Sequence, residues 1–533
     1  MSITILKLLL FSILIAPATS INRDQCANEI WALINNKTLN PNDGSKFWDQ
    51  PVPNTPLSIT NEFCNSQCGE KFSWYPNNEI ASRLVVWLIP VLVLMGNLHM
   101  PSLSAKYKLF SLLHMLGDPV DTLLSLQHTL AIRHAAYIWA QRTITQLDLQ
   151  VQPDDLATVS WALDTLDAGG SAETVLIPVL HRPTFPFALQ EAASDIRAAT
   201  VKEPTRTFLA IAIYLSTVTS AFIKASSDNQ ALSRPGNRIA FAMLYSWLIP
   251  VILLSSFGNR FTTSDACIRA IRRFSRHLDL EETELLPKQF SSKIIGYGIY
   301  HTSDPQKAAP WAGAIYVFRP RKAIFWQNVP HFPSPLYLLL CALAPIAIAV
   351  VTAVLISYNT PTKGIGCRSI THLSITTMWL LSFLITTTLQ KTGLATGKWL
   401  LVIVAIKDAV IGLGSLCTVI LIFAGRFNSC WCWSNGLNGV LGHSLHILLG
   451  ATHLLQANAE SIYPGLVGAG LGAQALAFLL MWGGGWAGNR WWGLLHFRPK
   501  GSNTANKWFR SENNRRDSEI PLVKESDAQS THS

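Results

Sequence analysis

Seven long apolar runs dominate this chain of 533 residues. Each run has about 18–26 residues, enough for a helix to cross roughly 30 Å of hydrocarbon. Charged residues make up only 14% of the chain, against about 25% in soluble proteins. The pattern predicts an all-α membrane protein with about seven transmembrane helices, at residues 84–101, 207–226, 239–257, 335–358, 369–389, 399–424 and 463–483.

The N-terminal segment, residues 1–20, has the pattern of a secretory signal peptide. Lys7 precedes a short apolar run, and Ala18 and Ser20 supply the small residues of a cleavage site. An uncleaved signal anchor is the alternative. Either way, residues 21–82 are predicted to enter the lumen or the exterior as a small ectodomain.

The Lys and Arg residues predict the orientation of the spans. With the N-terminus outside, seven spans place the C-terminus in the cytosol. The predicted cytosolic segments, chiefly 102–206, the basic loop 258–334 and the tail 484–533, carry 29 of the 42 Lys and Arg residues, whereas the outer segments carry 8. This bias agrees with the positive-inside rule. The net charge of +10 therefore reflects membrane topology, and we expect no nucleic-acid partner.

The C-terminal tail, residues 484–533, interleaves basic and aromatic residues. Basic residues attract the anionic cytosolic leaflet by about 1 kcal/mol each, and aromatic rings suit the headgroup layer. The tail is therefore predicted to lie on anionic lipids of the bilayer, except for residues 511–533, where the polar composition predicts disorder.

Six of the nine cysteines fall in predicted outer segments, where oxidising conditions favour disulfides. Six cysteines allow fifteen connectivities, and we expect two or three disulfides, with Cys430 and Cys432 pairing either with Cys367 or with the ectodomain. The sequon at Asn36 predicts glycosylation on the same side. The six cysteines are Cys26, Cys64, Cys68, Cys367, Cys430 and Cys432.

Two adjacent charged residues, Lys407 and Asp408, lie inside the sixth predicted span. Ionisable groups in hydrocarbon are costly and usually face a cavity or a partner. Neighbouring helix residues point about 100° apart, so the two are not expected to pair with each other. Gln474, Thr376 or His372 are the predicted partners of Asp408. A structural or snorkelling role is favoured, and a proton relay, substrate contact or gating role is the alternative.

The outer loop at residues 425–462 contains three histidines, His443, His446 and His453. On a helix they could share one face and resemble a metal site, but a polar face of a lumenal helix is the favoured interpretation. We therefore expect no metal or other cofactor. The moderately apolar residues 436–456 are predicted to form an amphipathic or re-entrant segment, with an eighth span as the alternative.

Five short stretches stand out, at residues 117–121, 246–250, 313–320, 364–369 and 427–434. The last two contain the Gly-Cys-Arg-Ser sequence around Cys367 and the Cys-x-Cys sequence of Cys430 and Cys432. In these stretches the chain resembles a family of uncharacterised polytopic membrane proteins of filamentous fungi. The resemblance covers most of the chain from the first span onward. It implies a fungal membrane protein of the secretory pathway and no catalytic residue.

The sequence contains no HExxH, P-loop or Gly-x-Ser-x-Gly motif. We therefore expect a non-enzymatic sensor, scaffold or accessory component, and we expect it in the plasma membrane. One alternative is a terpene-cyclase-like enzyme or a transporter for an apolar metabolite, with Asp408 or Lys407 in an intramembrane cavity. Another is a seven-span receptor, although the long predicted loop at 102–206 argues against an ordinary G-protein-coupled receptor.

Overall fold

A computed structural model of the protein is mostly helical where it is described. It describes residues 26, 28–30, 32–33, 36, 38, 57–69, 75, 80, 88, 90–97, 105–165, 176–198, 204–227, 235–257, 264–279, 333–360, 363–392, 397–426, 429–434, 446–449 and 461–486. The predicted signal peptide, most of the basic loop 258–334 and the tail beyond residue 486 lie outside this part of the chain.

Helices alternate with short turns along the described chain, and two short strands pair near its outer loops. The elements are β1 (Leu57–Thr60), α1 (Asn61–Cys68), α2 (Ala105–Gly117), α3 (Pro119–Leu147), α4 (Pro153–Thr165), α5 (Phe185–Ala198), α6 (Pro204–Ser227), α7 (Pro235–Leu244), α8 (Leu248–Phe257), α9 (Ser264–His277), α10 (Pro335–Asn359), α11 (Cys367–Thr392), α12 (Gly397–Ala424), α13 (Cys430–Trp433), β2 (His446–Leu449) and α14 (Tyr463–Trp486).

Five stretches of the described chain are long and apolar enough to cross a membrane, so the protein is membrane-embedded. They correspond to the third to seventh predicted spans. They are Ile239–Ser256, Pro335–Asn359, Cys367–Leu389, Val402–Ala424 and Tyr463–Met481. The predicted second span lies in α6, and the predicted first span is helical at 90–96. The total of seven spans stays a prediction.

Apolar side chains from the span helices form one large hydrophobic cluster. Trp247 and Trp379 are its largest fully buried members. The first part of the predicted cytosolic region 102–206 also joins this cluster, through Met115 of α2 and residues Val120 to Ala131 of α3. The predicted cytosolic region is therefore divided between two hydrophobic clusters, because the later half of α3 and helices α4 and α5 belong to the second one.

The second hydrophobic cluster contains the later half of α3 together with α4, α5 and α9. Phe185 of α5 and Phe274 of α9 meet edge to face within it, with ring centroids 6.2 Å apart. Val404, near the start of α12, also belongs to this cluster. The second cluster therefore adjoins the ends of the span helices at which α11 finishes and α12 begins.

The opposite ends of the span helices meet the small ectodomain. Strands β1 and β2 pair antiparallel, with Thr60 opposite His446 and Leu57 opposite Leu449. Ile59 and Ile447 are buried between this sheet and helices α1 and α13. The pairing joins the N-terminal ectodomain to the predicted outer loop 425–462.

Candidate functional site

The break between α2 and α3 begins the candidate site. Pro119 occupies the first turn of α3, where a missing N–H is tolerated. Asp118 caps the helix, since its Oδ1 accepts a hydrogen bond from the backbone N–H of Asp121 at 3.1 Å. The Gly117-Asp118-Pro119 sequence thus ends one helix, starts the next and buries an acidic cap.

Helix α2 packs very closely against α12. A Cβ atom on Gly117 would lie 2.5 Å from the carbonyl oxygen of Asp408, and one on Gly412 would lie 3.1 Å from that of Leu113. Only glycine at position 117 lets the two backbones approach this closely without displacement. The contact brings the end of α2 and the start of α3 to the charged pair predicted in α12.

Lys407 is the centre of the first half of the site. Its Nζ lies 2.8 Å from Asp118 Oδ2 and 2.8 Å from Asp408 Oδ1. It also donates to the hydroxyls of Ser382 at 2.7 Å and Thr386 at 2.6 Å, both on α11. One ammonium group therefore connects α3, α11 and α12.

His114 is the centre of the second half. Its Nδ1 lies 2.7 Å from Asp408 Oδ2, and its Nε2 lies 3.4 Å from Asp121 Oδ2. The imidazole of α2 is thus placed between carboxylates of α12 and α3. We call His114, Asp118, Asp121, Lys407 and Asp408 the ionic cluster.

The ionic cluster is sealed from solvent. Its histidine and aspartate side chains are fully buried, and Lys407 is 8% exposed. In such a low-dielectric setting, charges are tolerated only when they are paired and hydrogen-bonded. The cluster can therefore hold α2, α3, α11 and α12 together, and its imidazole and carboxylates can bind or release protons.

A second helix break lies on the other side of Trp379. The predicted third span is interrupted at Tyr245–Trp247, where turns separate α7 from α8. The Trp379 ring meets the rings of Tyr245 and Trp247 edge to face, each with centroids 5.8 Å apart. Its Nε1 donates to the carbonyl of Leu116, at the first break, at 2.9 Å. Trp379 therefore contacts both breaks.

The predicted partners of Asp408 are wrong. The Gln474 amide donates instead to the carbonyl of Pro345 at 2.6 Å and to Ser246 at 3.3 Å. Thr376 donates to the His372 carbonyl, and the His372 ring packs against Phe241. The described contacts of the three residues are therefore with groups other than Asp408.

The expectation that Lys407 and Asp408 cannot pair is also wrong. Their Cβ atoms diverge, but the long lysine side chain bends back to the Asp408 carboxylate, 2.8 Å away. His114, Asp118 and Asp121 were missed because they lie outside the predicted spans. The Gly-Asp-Pro break, together with two acids and a histidine in an apolar helix pair, was the available signal.

All six predicted outer cysteines form disulfides. Cys26 pairs with Cys68, Cys64 with Cys430 and Cys367 with Cys432. Their Cα atoms are 5.4, 5.8 and 5.3 Å apart, within the normal range. Both expected destinations of the Cys-x-Cys pair, Cys367 and the ectodomain, are therefore used.

The predicted glycosylation and metal sites have different outcomes. Asn36 is exposed, and nothing in the described contacts hinders its modification. His446 lies in strand β2, so it cannot share a helical face with the other two histidines. His443 and His453 lie outside the described residues. Among described residues, Cys26, Cys64 and Cys68 have metal-like spacing, but all three are in disulfides.

Comparison with known proteins finds no match: no family model, curated protein or solved structure is similar to this chain.

Proposed function

We propose that the chain is a seven-span protein of the secretory pathway, with its N-terminus outside, its C-terminus in the cytosol and Asn36 glycosylated. The signal segment, the bias of basic residues and the disulfides at one end of the span helices support this placement. Its resemblance to fungal membrane proteins supports a fungal source. The plasma membrane is its proposed location.

This placement is tested by labelling intact cells and by deglycosylation. An epitope after residue 533 should be reached by antibody only after permeabilisation, and wild type but not Asn36→Gln should gain mobility on glycosidase treatment. An epitope accessible on intact cells would contradict the orientation.

Within that placement, we propose a non-enzymatic role as a sensor, scaffold or accessory membrane component. The observation that carries this proposal is the pairing inside the ionic cluster. Lys407 and Asp408, the candidate catalytic residues, are occupied by each other and by Asp118 and His114. Because these charged groups are already paired with one another, the pairing offsets the free-energy cost of burying them and holds the helices together. No substrate is needed to neutralise them.

Profiling of lipid-soluble metabolites tests this role. A strain lacking the gene is compared with strains that produce wild type or Asp408→Asn, and protein levels are matched by immunoblot. We expect no single compound to be lost or accumulated in the deletion strain. If the deletion and Asp408→Asn strains lost or accumulated the same compound, the non-enzymatic proposal would be wrong.

A transporter is the second candidate, favoured by the two helix breaks. Broken helices inside a membrane bundle are where many transporters bind substrates and coupling ions. The breaks at Asp118 and at Tyr245–Trp247 both contact Trp379. In this alternative an apolar metabolite would move through the bundle, and its intracellular level would rise in the deletion strain while its total synthesis stayed constant.

A further inference from the structure

The numbers of acidic and basic groups in the ionic cluster do not match. It contains three carboxylates, of Asp118, Asp121 and Asp408, but only two groups that can carry positive charge. With Lys407 charged, a protonated His114 leaves one net negative charge and a neutral His114 leaves two. Uncompensated charge is costly when buried, so the cluster is stabilised by bound protons.

The position of the His114 ring points to the same conclusion. Each ring nitrogen faces a carboxylate oxygen, Nδ1 toward Asp408 and Nε2 toward Asp121. A neutral imidazole has one N–H and can donate to only one of them, whereas an imidazolium donates to both. The geometry therefore matches a ring that carries the additional proton.

Where they are described, the other helices packed around the cluster present mainly neutral groups to it. Helix α11 contributes the hydroxyls of Ser382 and Thr386, and its His372 packs against Phe241 instead. Helices α8 and α10, which also pack on α3, contain no charged residue. Asp154 and Asp155 of α4 belong to the part of the chain that packs against the later half of α3.

We propose that the ionic cluster is a proton-binding site, and that a proton on His114 holds α2 against α12. Binding forms one N–H bond as one O–H bond of a hydronium ion breaks and releases water, and no oxidation or reduction accompanies it. When the proton leaves, the carboxylates of Asp121 and Asp408 face a neutral ring, and their ionic attraction to it is lost. Helix α2 then loosens from α12, turning at the break beside Gly117.

This inference rests on the proposed role as a sensor and names protons as what the protein senses. The protons would reach the cluster from the side of the bundle opposite the disulfides. Lys407 is the sixth residue of the candidate span Val402–Ala424, about 8 Å from its end. That end is the one near Val404 and the second hydrophobic cluster. The path for a proton from that side is short.

Hydrogen exchange of the full-length protein tests the site. The protein is placed in phosphatidylcholine nanodiscs, and exchange of the amides of residues 109–117 is followed by mass spectrometry across roughly pH 5–11. This range covers the pKa of His114, which, despite burial, is raised to about 10 by the neighbouring carboxylates of Asp408 and Asp121. Exchange times are scaled for the intrinsic effect of pH. From about pH 6.5, the ordinary histidine pKa, up to the raised pKa, we expect protection of this segment to fall on the order of tenfold per pH unit, as for release of one proton. We call this fall the transition. Protection that does not change with pH would overturn the proposal.

Three variants distinguish loss of protection caused by the ionic cluster from loss caused by pH elsewhere in the protein. His114→Gln should abolish the transition, whereas His372→Gln, which changes another fully buried histidine, should retain it. Asp121→Asn keeps His114 but removes one of its two carboxylate neighbours, so the transition should end at a pH about one unit lower. If His114→Gln does not fold, the Asp121→Asn result decides, and an unmoved transition overturns the proposal.

The result is distinguishable from the test of the proposed role. A pH-dependent α2 together with unchanged metabolites supports both proposals. A pH-dependent α2 with a metabolite lost in both test strains supports the proton site and contradicts the non-enzymatic role. A pH-independent α2 contradicts the proton site alone.

Discussion

The two helix breaks solve the same problem by different chemistry. Each interrupts a helix among buried residues, so the freed backbone groups must find partners inside the protein. At the first break, Asp118 caps α3 and its other oxygen, Oδ2, binds the Lys407 ammonium at 2.8 Å. At the second, backbone i to i+3 hydrogen bonds through Tyr245 and Ser246 close the turn, and the Ser246 hydroxyl accepts a hydrogen bond from the neutral Gln474 amide.

The difference has a functional consequence. Protons can change the charge of the first break, because its contacts include an imidazole and three carboxylates. The second break is held by Gln474 and by the Tyr214 hydroxyl, which donates to the Ala242 carbonyl at 2.6 Å. These groups keep the same hydrogen bonds at ordinary pH. The comparison therefore indicates that the first break responds to pH, whereas the second break keeps its structure as pH changes.

The largest loss of stability is expected from Asp408→Ala. It leaves Lys407 and His114 buried with one carboxylate partner fewer, and breaking a buried ion pair in this way costs about 3–5 kcal/mol. Unfolding of the purified protein in mixed micelles measures this loss. A cost below that of Gln474→Leu at the neutral break would contradict the comparison.

A smaller loss is expected from Gly117→Ala, about 1–3 kcal/mol, because the new methyl group would meet the backbone of Asp408. A backbone atom cannot move aside as a flexible side chain can. Gly414→Ala on α12 is the matched control, since a Cβ there meets nothing within 4 Å. The same unfolding measurement should show little change for the control, and equal losses would contradict the close contact.

At the neutral break, Gln474→Leu should cost about 1 kcal/mol. It removes the amide that donates to Ser246 and Pro345, and hydrogen bonds between membrane helices contribute modestly. The cost, measured as the difference in unfolding free energy from wild type, should not change with pH, because the amide, hydroxyl and carbonyl groups involved do not titrate. A pH-dependent cost in this variant would show that the second break responds to protons too.

The smallest effect, about 0.5–1 kcal/mol, is expected from Trp379→Phe. The substitution keeps an aromatic ring near Tyr245 and Trp247 but removes the N–H that donates to Leu116. A double-mutant cycle with Gln474→Leu would measure the coupling free energy between Trp379 and the second break. A coupling of zero would mean that the breaks act independently.

The parts of the fold that depend on local pattern could be predicted. Five spans follow from runs of apolar residues, and the Gly117-Asp118-Pro119 sequence predicts the boundary between α2 and α3. The ends of these helices depend on residues close in sequence: a proline without an N–H and an aspartate that caps the next turn. The six cysteines that form disulfides were recognisable for a similar reason, since their predicted compartment follows from the span pattern.

The ionic cluster could be predicted only in part. Lys407 and Asp408 stand out because they are charged residues inside an apolar run. Their partners come from α2 and α3, nearly 300 residues earlier in the chain. Helical periodicity says which residues share a face but not which faces meet, and His114 belongs to a segment too polar to be recognised as part of the bundle.

The same limit applies to the second break. The predicted span at 239–257 is apolar throughout its centre, and only Pro250 signals a departure from a continuous helix. Since Pro250 cannot donate to the Ser246 carbonyl, the turn forms just before it. Whether such a proline bends a helix or breaks it depends on neighbouring groups such as Gln474, which the local sequence does not contain.

The bond between Cys64 and Cys430 imposes an order on biosynthesis. The two residues are 366 positions apart, so at about 5–20 residues per second the Cys64 thiol waits roughly 20–70 s for its partner to be made. Cys68 and Cys26 are available to each other far earlier, since only 42 positions separate them. Until Cys430 emerges, Cys64 must remain a thiol or form a temporary bond, which makes the newborn ectodomain a client for disulfide isomerisation.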